Sequence, residues 1–174
     1  MAYADDLLQL ALEIANFRGS DAHQPSLRRA LSTAYYALFH LLVSDAISDC
    51  VDPHFRAALA RVFDHGPMRK ASENKVSELK GLSKQQPPDG SEHFVKYHLR
   101  NVAERFREAQ HNRTEADYNL TREWQPTKVF LLIEGIRGAF ESWSLIREQR
   151  AARDYLIAML PSRAGKQPEK AGGS

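Results

Sequence analysis

Apolar residues recur at helical spacing along most of the chain, and no segment alternates apolar and polar residues as a β-strand would. The clearest stripe is Leu27, Leu31, Ala34, Leu38 and Leu41. The same spacing predicts helices over Ala4–Phe17, Pro25–Ser48, Pro53–Asp64, Pro67–Leu79, Glu92–His111 and Thr127–Leu160. The pattern indicates an all-α fold, an antiparallel helical bundle of four to five main helices in one domain, residues 1–160.

Proline and glycine set the boundaries of these helices. Pro25 and Pro53 suit the first turn of a helix, and Asp52 is placed to cap the helix that Pro53 begins. Residues 81–91 are rich in Gly, Pro and Gln, which predicts a loop. The last helical region is expected to break near Gln149, and the segment 161–174 is predicted to be a disordered basic tail.

Two glycines lie inside the last helical region. Gly135 and Gly138 would cost helix stability there, and we expect them to mark close packing between helices.

Composition supports the helical interpretation and narrows the cellular setting. Ala and Leu number 41, whereas Val, Ile and Thr together number 17, which leaves little material for a sheet. The single cysteine, Cys50, excludes an intramolecular disulfide and fits a reducing compartment. No apolar run approaches the roughly 20 residues of a membrane span, and the N-terminus lacks the pattern of a signal peptide. We therefore expect a cytoplasmic protein with no membrane association.

The charge is nearly balanced. The net charge is +2, and the segment 161–174 supplies all of it, because residues 1–160 hold 21 basic and 21 acidic side chains. A strongly basic nucleic-acid footprint is therefore absent, and any RNA contact must use a local cluster. One such cluster has a local charge of +3 and comprises Lys96, Arg100, Arg105, Arg107 and Arg113 with Glu104 and Glu108.

Motifs for metals and cofactors are missing. The chain has no glycine-rich phosphate loop, no His-Glu-x-x-His and no cysteine pair, and its seven histidines lack zinc-ligand spacing. We expect neither a metal nor a cofactor.

Polar residues form a second stripe on the helix predicted from Pro25. Arg29, Thr33, Tyr36 and His40 share one face at helical spacing. Either they line a ligand site, or Tyr36 and its neighbour Tyr35 are core residues with tethered hydroxyls and His40 is a satisfied interior histidine.

A third segment, Gln110–Tyr118, is predicted where a helix gives way to a loop. Arg113 could bind a phosphate through its forked donors. Alternatively, Arg113 and Asp117 form a local ion pair at the helix end.

Together these segments resemble the HEPN domain, in particular small stand-alone bacterial and archaeal members with an Ala-Asp-Tyr motif. The resemblance rests on the stretch from Arg28 to His40 with its Ala-Tyr-Tyr-Ala core, on Phe63-Asp64-His65 followed by Lys70, and on Arg113-x-x-Ala-Asp-Tyr118. It implies an antiparallel bundle that forms a homodimer. Many members are metal-independent ribonucleases or toxins, often paired with a nucleotidyltransferase antitoxin.

The resemblance also implies an active site. In the family an arginine binds the scissile phosphate, and a histidine separated from it by four to six residues serves in acid–base chemistry, with the RNA 2′-hydroxyl as nucleophile. Arg113 is the matching arginine, but after the four residues that follow it the chain has Tyr118 instead of histidine. Tyrosine, with an ordinary pKa of about 10, is a poor general base at neutral pH, although it could act as an acid or hold a phosphate. Arg105 and His111 fit the family spacing but precede the Ala-Asp-Tyr anchor.

Three functions are compatible with these residues. The first is an RNA-directed homodimeric protein, ribonuclease-like or toxin-like, with Arg113, Tyr118 and His111 as candidate catalytic residues. The second is a non-catalytic module that dimerises and binds a nucleotidyltransferase or a small phosphorylated ligand. The third is a purely structural helical adaptor.

The second function requires a polar pocket between two helices, those predicted from Pro25 and from Glu92, packed side by side. Its candidate ligand-binding residues are Arg29, Tyr36, His40, Arg113 and Asp117, with Arg105 as a further cation.

Aromatic residues in the final region add to the family expectation of a symmetric homodimer. They are Trp124, Phe130, Phe140 and Trp143.

Overall fold

The structure, a computed structural model, describes residues 2–16, 23–48, 52–82, 87, 89 and 91–161. Over these residues it contains seven α-helices and no β-strand. The helices are α1 (Ala2–Ala15), α2 (Gln24–Ala46), α3 (Pro53–Ala60), α4 (His65–Glu78), α5 (Glu92–Tyr118), α6 (Pro126–Ile146) and α7 (Arg150–Ala158). The all-helical prediction is confirmed.

Helix α2 is central to the bundle, because α1, α5, α6 and α7 all pack against it. The predicted stripe from Leu27 to Leu41 is buried, with Ala34 and Leu38 fully inaccessible. Helices α5 and α6 pack against each other, and α4 packs against α5. The resulting core places the polar face of α2 beside the C-terminal half of α5.

Short polar side chains cap the starts of three helices, and at α5 the Ser91 hydroxyl accepts from the Phe94 backbone N–H. The Asp52 carboxylate accepts a hydrogen bond from the His54 backbone N–H, which confirms the predicted cap of α3. The Asp64 carboxylate accepts from the His65 backbone N–H. This cap starts α4 two residues earlier than predicted, and α3 ends at Ala60 instead of Asp64.

The prediction of a loop at Arg113 is wrong, since α5 continues to Tyr118. Thr114 and Asp117 are weak helix formers, which favoured an earlier end. Burial of Asn112 and Ala116 outweighs that preference. By contrast, the predicted break near Gln149 is confirmed, because α6 ends at Ile146 and α7 begins at Arg150.

The two glycines of α6 do not mark close approach of helix backbones. A Cβ added at Gly138 would meet no atom within 4 Å, so the expectation is wrong there. At Gly135 the nearest atoms, 3.3 Å away, belong to the Arg105 side chain. The glycine therefore makes room for a flexible side chain on α5.

Some predictions fall outside the described residues: those for Phe17, Cys50, most of the 81–91 loop and the tail 162–174. Among the helices that the structure describes, none is long and apolar enough to cross a membrane.

Candidate functional site

Arg113 lies at the centre of a polar cluster between α2 and α5. Its Nη2 donates to the Tyr36 hydroxyl at 3.2 Å, and its Nε lies 2.7 Å from Asp117 Oδ2. The Arg113 and Asp117 side chains are 18% and 28% exposed, so the pair is only partly solvated. The predicted ion pair and the predicted packing of these two helices are both confirmed.

Two aromatic rings flank the Arg113 guanidinium. Its Cζ lies 5.6 Å from the centre of the Tyr36 ring and 5.9 Å from that of Tyr118. Cation–π attraction therefore helps to hold the guanidinium in place. Tyr118 is 72% exposed, so an open aromatic face stands beside a cation.

His65, the first residue of α4, joins the cluster through Tyr35. The Tyr35 hydroxyl lies 2.5 Å from His65 Nδ1, and the His65 ring packs 6.0 Å from that of Tyr36. Tyr35 is fully buried, and burial raises the pKa of its phenol well above the ordinary value, with the nearby Arg113 charge opposing that rise. The phenol therefore keeps its proton.

This hydrogen bond determines which imidazole nitrogen carries the proton. The Tyr35 hydroxyl is buried and has His65 Nδ1 as its hydrogen-bond partner among the described residues, so we infer that the hydroxyl donates to Nδ1, since its proton would otherwise be unsatisfied. In the neutral ring the proton then resides on Nε2. His65 thus offers an N–H donor on the side away from Tyr35.

His65 is uncharged at neutral pH. Burial lowers the pKa of its imidazole below 6.5, the positive charge of Arg113 lowers it further, and Asp64 opposes both. The site consequently combines one permanent cation, Arg113, with a neutral hydrogen-bond donor.

The first turn of α4 is fastened to α5 beside this donor. The Gln110 side-chain amide donates to the His65 carbonyl at 3.3 Å. Gln110 Oε1 is buried and has no hydrogen-bond partner among the described residues. The first residue of α4 is therefore tied to α5 three positions before Arg113.

The other residues predicted on the α2 stripe have different surroundings. His40 packs against Tyr36 and Tyr3, with ring centres 6.4 and 5.1 Å apart, and burial lowers its pKa. Arg29 is exposed and forms no hydrogen bond or ion pair with the described residues. The structure therefore brings Tyr36, Arg113 and Asp117 together, with His40 adjacent and Arg29 apart.

Arg105 and His111 lie on other faces of α5. Arg105 pairs with Glu108 at 2.6 Å and lies along α6 beside Gly135. His111 is exposed at an open depression of about 440 Å³. Three arginines, Arg69, Arg105 and Arg107, and three carboxylates, Glu73, Glu104 and Glu108, also line it. Neither residue has a recorded contact with the Arg113 guanidinium.

Sequence reasoning missed two residues, His65 and Arg28. The alternative that the tyrosines are core residues with tethered hydroxyls is confirmed for Tyr35, which is fully buried and bonded to His65. Arg28 donates to the carbonyls of Ala116 at 2.7 Å and Arg122 at 2.6 Å, and so caps the C-terminal end of α5. The stretch Phe63-Asp64-His65 was the available signal for His65, but nothing local placed it beside Arg113.

A well-formed cavity of about 210 Å³ lies away from this cluster, where α3, α7 and the end of α2 meet. Its wall includes Asp45, which accepts hydrogen bonds from Trp143 Nε1 at 2.5 Å and Arg147 Nη2 at 2.9 Å. The Asp45 side chain is only 7% exposed. These bonds join α2 to α6, so the polar wall of the cavity has a structural role.

No protein family, curated protein or solved structure matches the chain.

Proposed function

We propose that this protein is a HEPN-like RNA-binding protein that holds an RNA phosphate at Arg113. The observation that carries the proposal is the Arg113 guanidinium beside the exposed ring of Tyr118 at one end of α5, with His65 close enough for the Arg113 charge to lower the pKa of its imidazole. A cation and a neutral N–H suit phosphate oxygens. An open aromatic ring suits an unpaired base, which favours RNA over inorganic phosphate.

Arg113 retains donors for a ligand despite its partners. Its Nε lies beside Asp117 and its Nη2 donates to the Tyr36 hydroxyl, whereas Nη1 makes no hydrogen bond with the described residues. The ion pair and the phenol fix the plane of the guanidinium before a ligand arrives. Such preorganisation lowers the entropy lost on binding.

The proton on His65 favours binding over cleavage. A general base needs a free lone pair, but the Nδ1 lone pair accepts from Tyr35 and Nε2 carries the proton. A neutral imidazole N–H is also a weak acid. We therefore propose that the resting site binds RNA without cutting it.

The homodimer and the nucleotidyltransferase partner stay predictions. Trp124 and Trp143 are each 1% exposed within the single chain, so they are core residues and supply no dimer surface. The exposed large apolar residues of α6 that a partner could contact are Phe130, Leu131 and Leu145, at 37%, 64% and 55% exposure. Light scattering at micromolar concentration tests the dimer, and a stable monomer would rule it out.

Binding of a labelled single-stranded RNA, measured by fluorescence anisotropy over a salt series, tests the proposed function. We expect wild type to bind with an affinity that falls as salt rises. Arg113→Ala should lose most of this binding, and Arg113→Lys should recover only part of it, because lysine lacks the forked donors.

Arg137→Ala is the matched control, since Arg137 is an exposed helical arginine on α6 paired with Glu134. Circular dichroism establishes that each variant folds. Equal binding by wild type and Arg113→Ala, or no binding by folded wild type, would overturn the proposal. A parallel time course in EDTA measures cleavage, and Arg113-dependent cutting would replace the binding function with a metal-independent ribonuclease.

A further inference from the structure

Four exposed residues continue from the Arg113 site along the solvent face of α5. Arg107, His111, Thr114 and Tyr118 are spaced four, three and four residues apart, so they form one stripe. All four are exposed. The eleven residue steps from Arg107 to Tyr118 span about 16 Å of helix. Tyr118, at one end, is the residue whose ring stands beside Arg113.

One cation on this stripe, Arg107, has no carboxylate of α5 as a partner. Each carboxylate of the helix lies in an ion pair: Glu92 with Lys96, Glu104 with Arg100, Glu108 with Arg105, Glu115 with Arg122, and Asp117 with Arg113. Arg107 has no such partner among the described residues and is exposed. The nearby Arg69 of α4 pairs with Glu73. The formal neutrality of residues 1–160 therefore conceals, among the described residues, an unpaired cation beyond the Arg113 site.

We propose that a single strand of RNA lies along this stripe, with a base stacked on Tyr118 and a backbone phosphate at Arg107. The inference rests on the proposed binding at Arg113 and extends it to a path and a substrate class. An aromatic ring followed by exposed hydrogen-bonding and cationic side chains is the combination that binds single strands without reading sequence.

The path requires unpaired bases. A base in a duplex is stacked on both sides and cannot reach the Tyr118 ring, whereas a base in a single strand can. Thr114 already donates its hydroxyl to the Gln110 carbonyl at 3.0 Å, so its oxygen can accept from a 2′-hydroxyl. Double-stranded RNA should therefore bind more weakly than the matching single strand.

The path is tested by measuring binding of three labelled RNAs: uridine dinucleotide, uridine octanucleotide and an RNA duplex. Each is measured with wild type, Arg107→Ala, Tyr118→Leu and Arg113→Ala. Arg137→Ala again serves as the control. We expect Arg107→Ala to weaken octanucleotide binding, to leave dinucleotide binding unchanged, and to reduce the steepness of the log–log salt dependence by about 0.7. Tyr118→Leu should lower the affinity for both oligonucleotides about fivefold or more. Both residues are exposed, so these variants should fold like wild type.

The outcomes separate the path from the proposed function. If Arg113→Ala loses binding while Arg107→Ala and Tyr118→Leu bind the octanucleotide like wild type, the path is wrong and the Arg113 site stands. Equal loss of dinucleotide and octanucleotide in Arg107→Ala, or tighter binding of the duplex, also overturns the path. No binding of either oligonucleotide by folded wild type overturns the proposed function itself.

Discussion

The hydroxyl of Tyr35 on α2 lies 2.5 Å from Nδ1 of His65, the first residue of α4. The phenol is buried and retains its proton, so it fixes both the orientation of the imidazole and the nitrogen that bears hydrogen. Tyr36, the next residue on α2, accepts from Arg113. Two adjacent tyrosines thus position the neutral donor and the cation of the site.

The charge of Arg113 should be measurable at His65. The positive charge of Arg113 lowers the pKa of the His65 imidazole, and only burial lowers it more. We expect Arg113→Gln to raise that pKa toward 6.5, because a neutral side chain no longer disfavours the protonated ring. An NMR titration of the His65 ring protons measures the change. An unaltered or lower His65 pKa in the variant would show that the two groups are not electrostatically coupled.

Mild acid should destabilise the fold. Burial lowers the folded-state pKa of His40, His65 and His98 below the ordinary 6.5. At a pH between the folded-state pKa of these histidines and 6.5, the unfolded chain binds more protons than the folded chain does. The stability that the neutral histidines contribute is therefore complete above about pH 6.5 and is lost as the pH falls. Urea unfolding at pH 7.5 and 5.5 measures this loss of stability. A free energy of unfolding that is larger at pH 5.5 would contradict the assignment of these histidines as neutral.

Two adjacent arginines should differ sharply in their effect on stability. Arg28 donates to the Ala116 and Arg122 carbonyls and caps the end of α5, whereas Arg29 is exposed and makes no recorded bond. We expect Arg28→Ala to lower the free energy of unfolding by about 2 kcal/mol, since it leaves these carbonyls without their charged donor. Arg29→Ala should change it by less than about 0.5 kcal/mol. Equal effects in thermal or urea unfolding would refute the capping role.

Much of the fold could be predicted from the spacing of apolar residues and from the residues at helix ends. The stripe from Leu27 to Leu41 predicted the buried face of α2, because helical spacing alone fixes which side chains share a face. The Asp52 cap and the break near Gln149 depend on residues within one turn, and both were predicted. Local preference failed at Thr114 and Asp117, where burial of their neighbours extends α5.

The candidate site was only half predictable. The Arg113–Asp117 pair follows from a spacing of four residues on one helix. The Tyr35–His65 bond joins residues thirty positions apart, and the Arg28 cap joins α2 to the end of α5. Such bonds depend on how helices pack, and the spacing of residues within each helix carries no information about that.

The most direct measurement follows the side-chain nitrogens of Arg113 and His65 by ¹⁵N NMR while a short single-stranded RNA is added. We expect Arg113 Nη and His65 Nε2 to shift together and in proportion to bound RNA, while His65 Nδ1 keeps its hydrogen bond to Tyr35. The Arg137 guanidinium should be unaffected. Saturation binding that leaves the Arg113 and His65 signals unmoved would place the RNA elsewhere and contradict the proposed function.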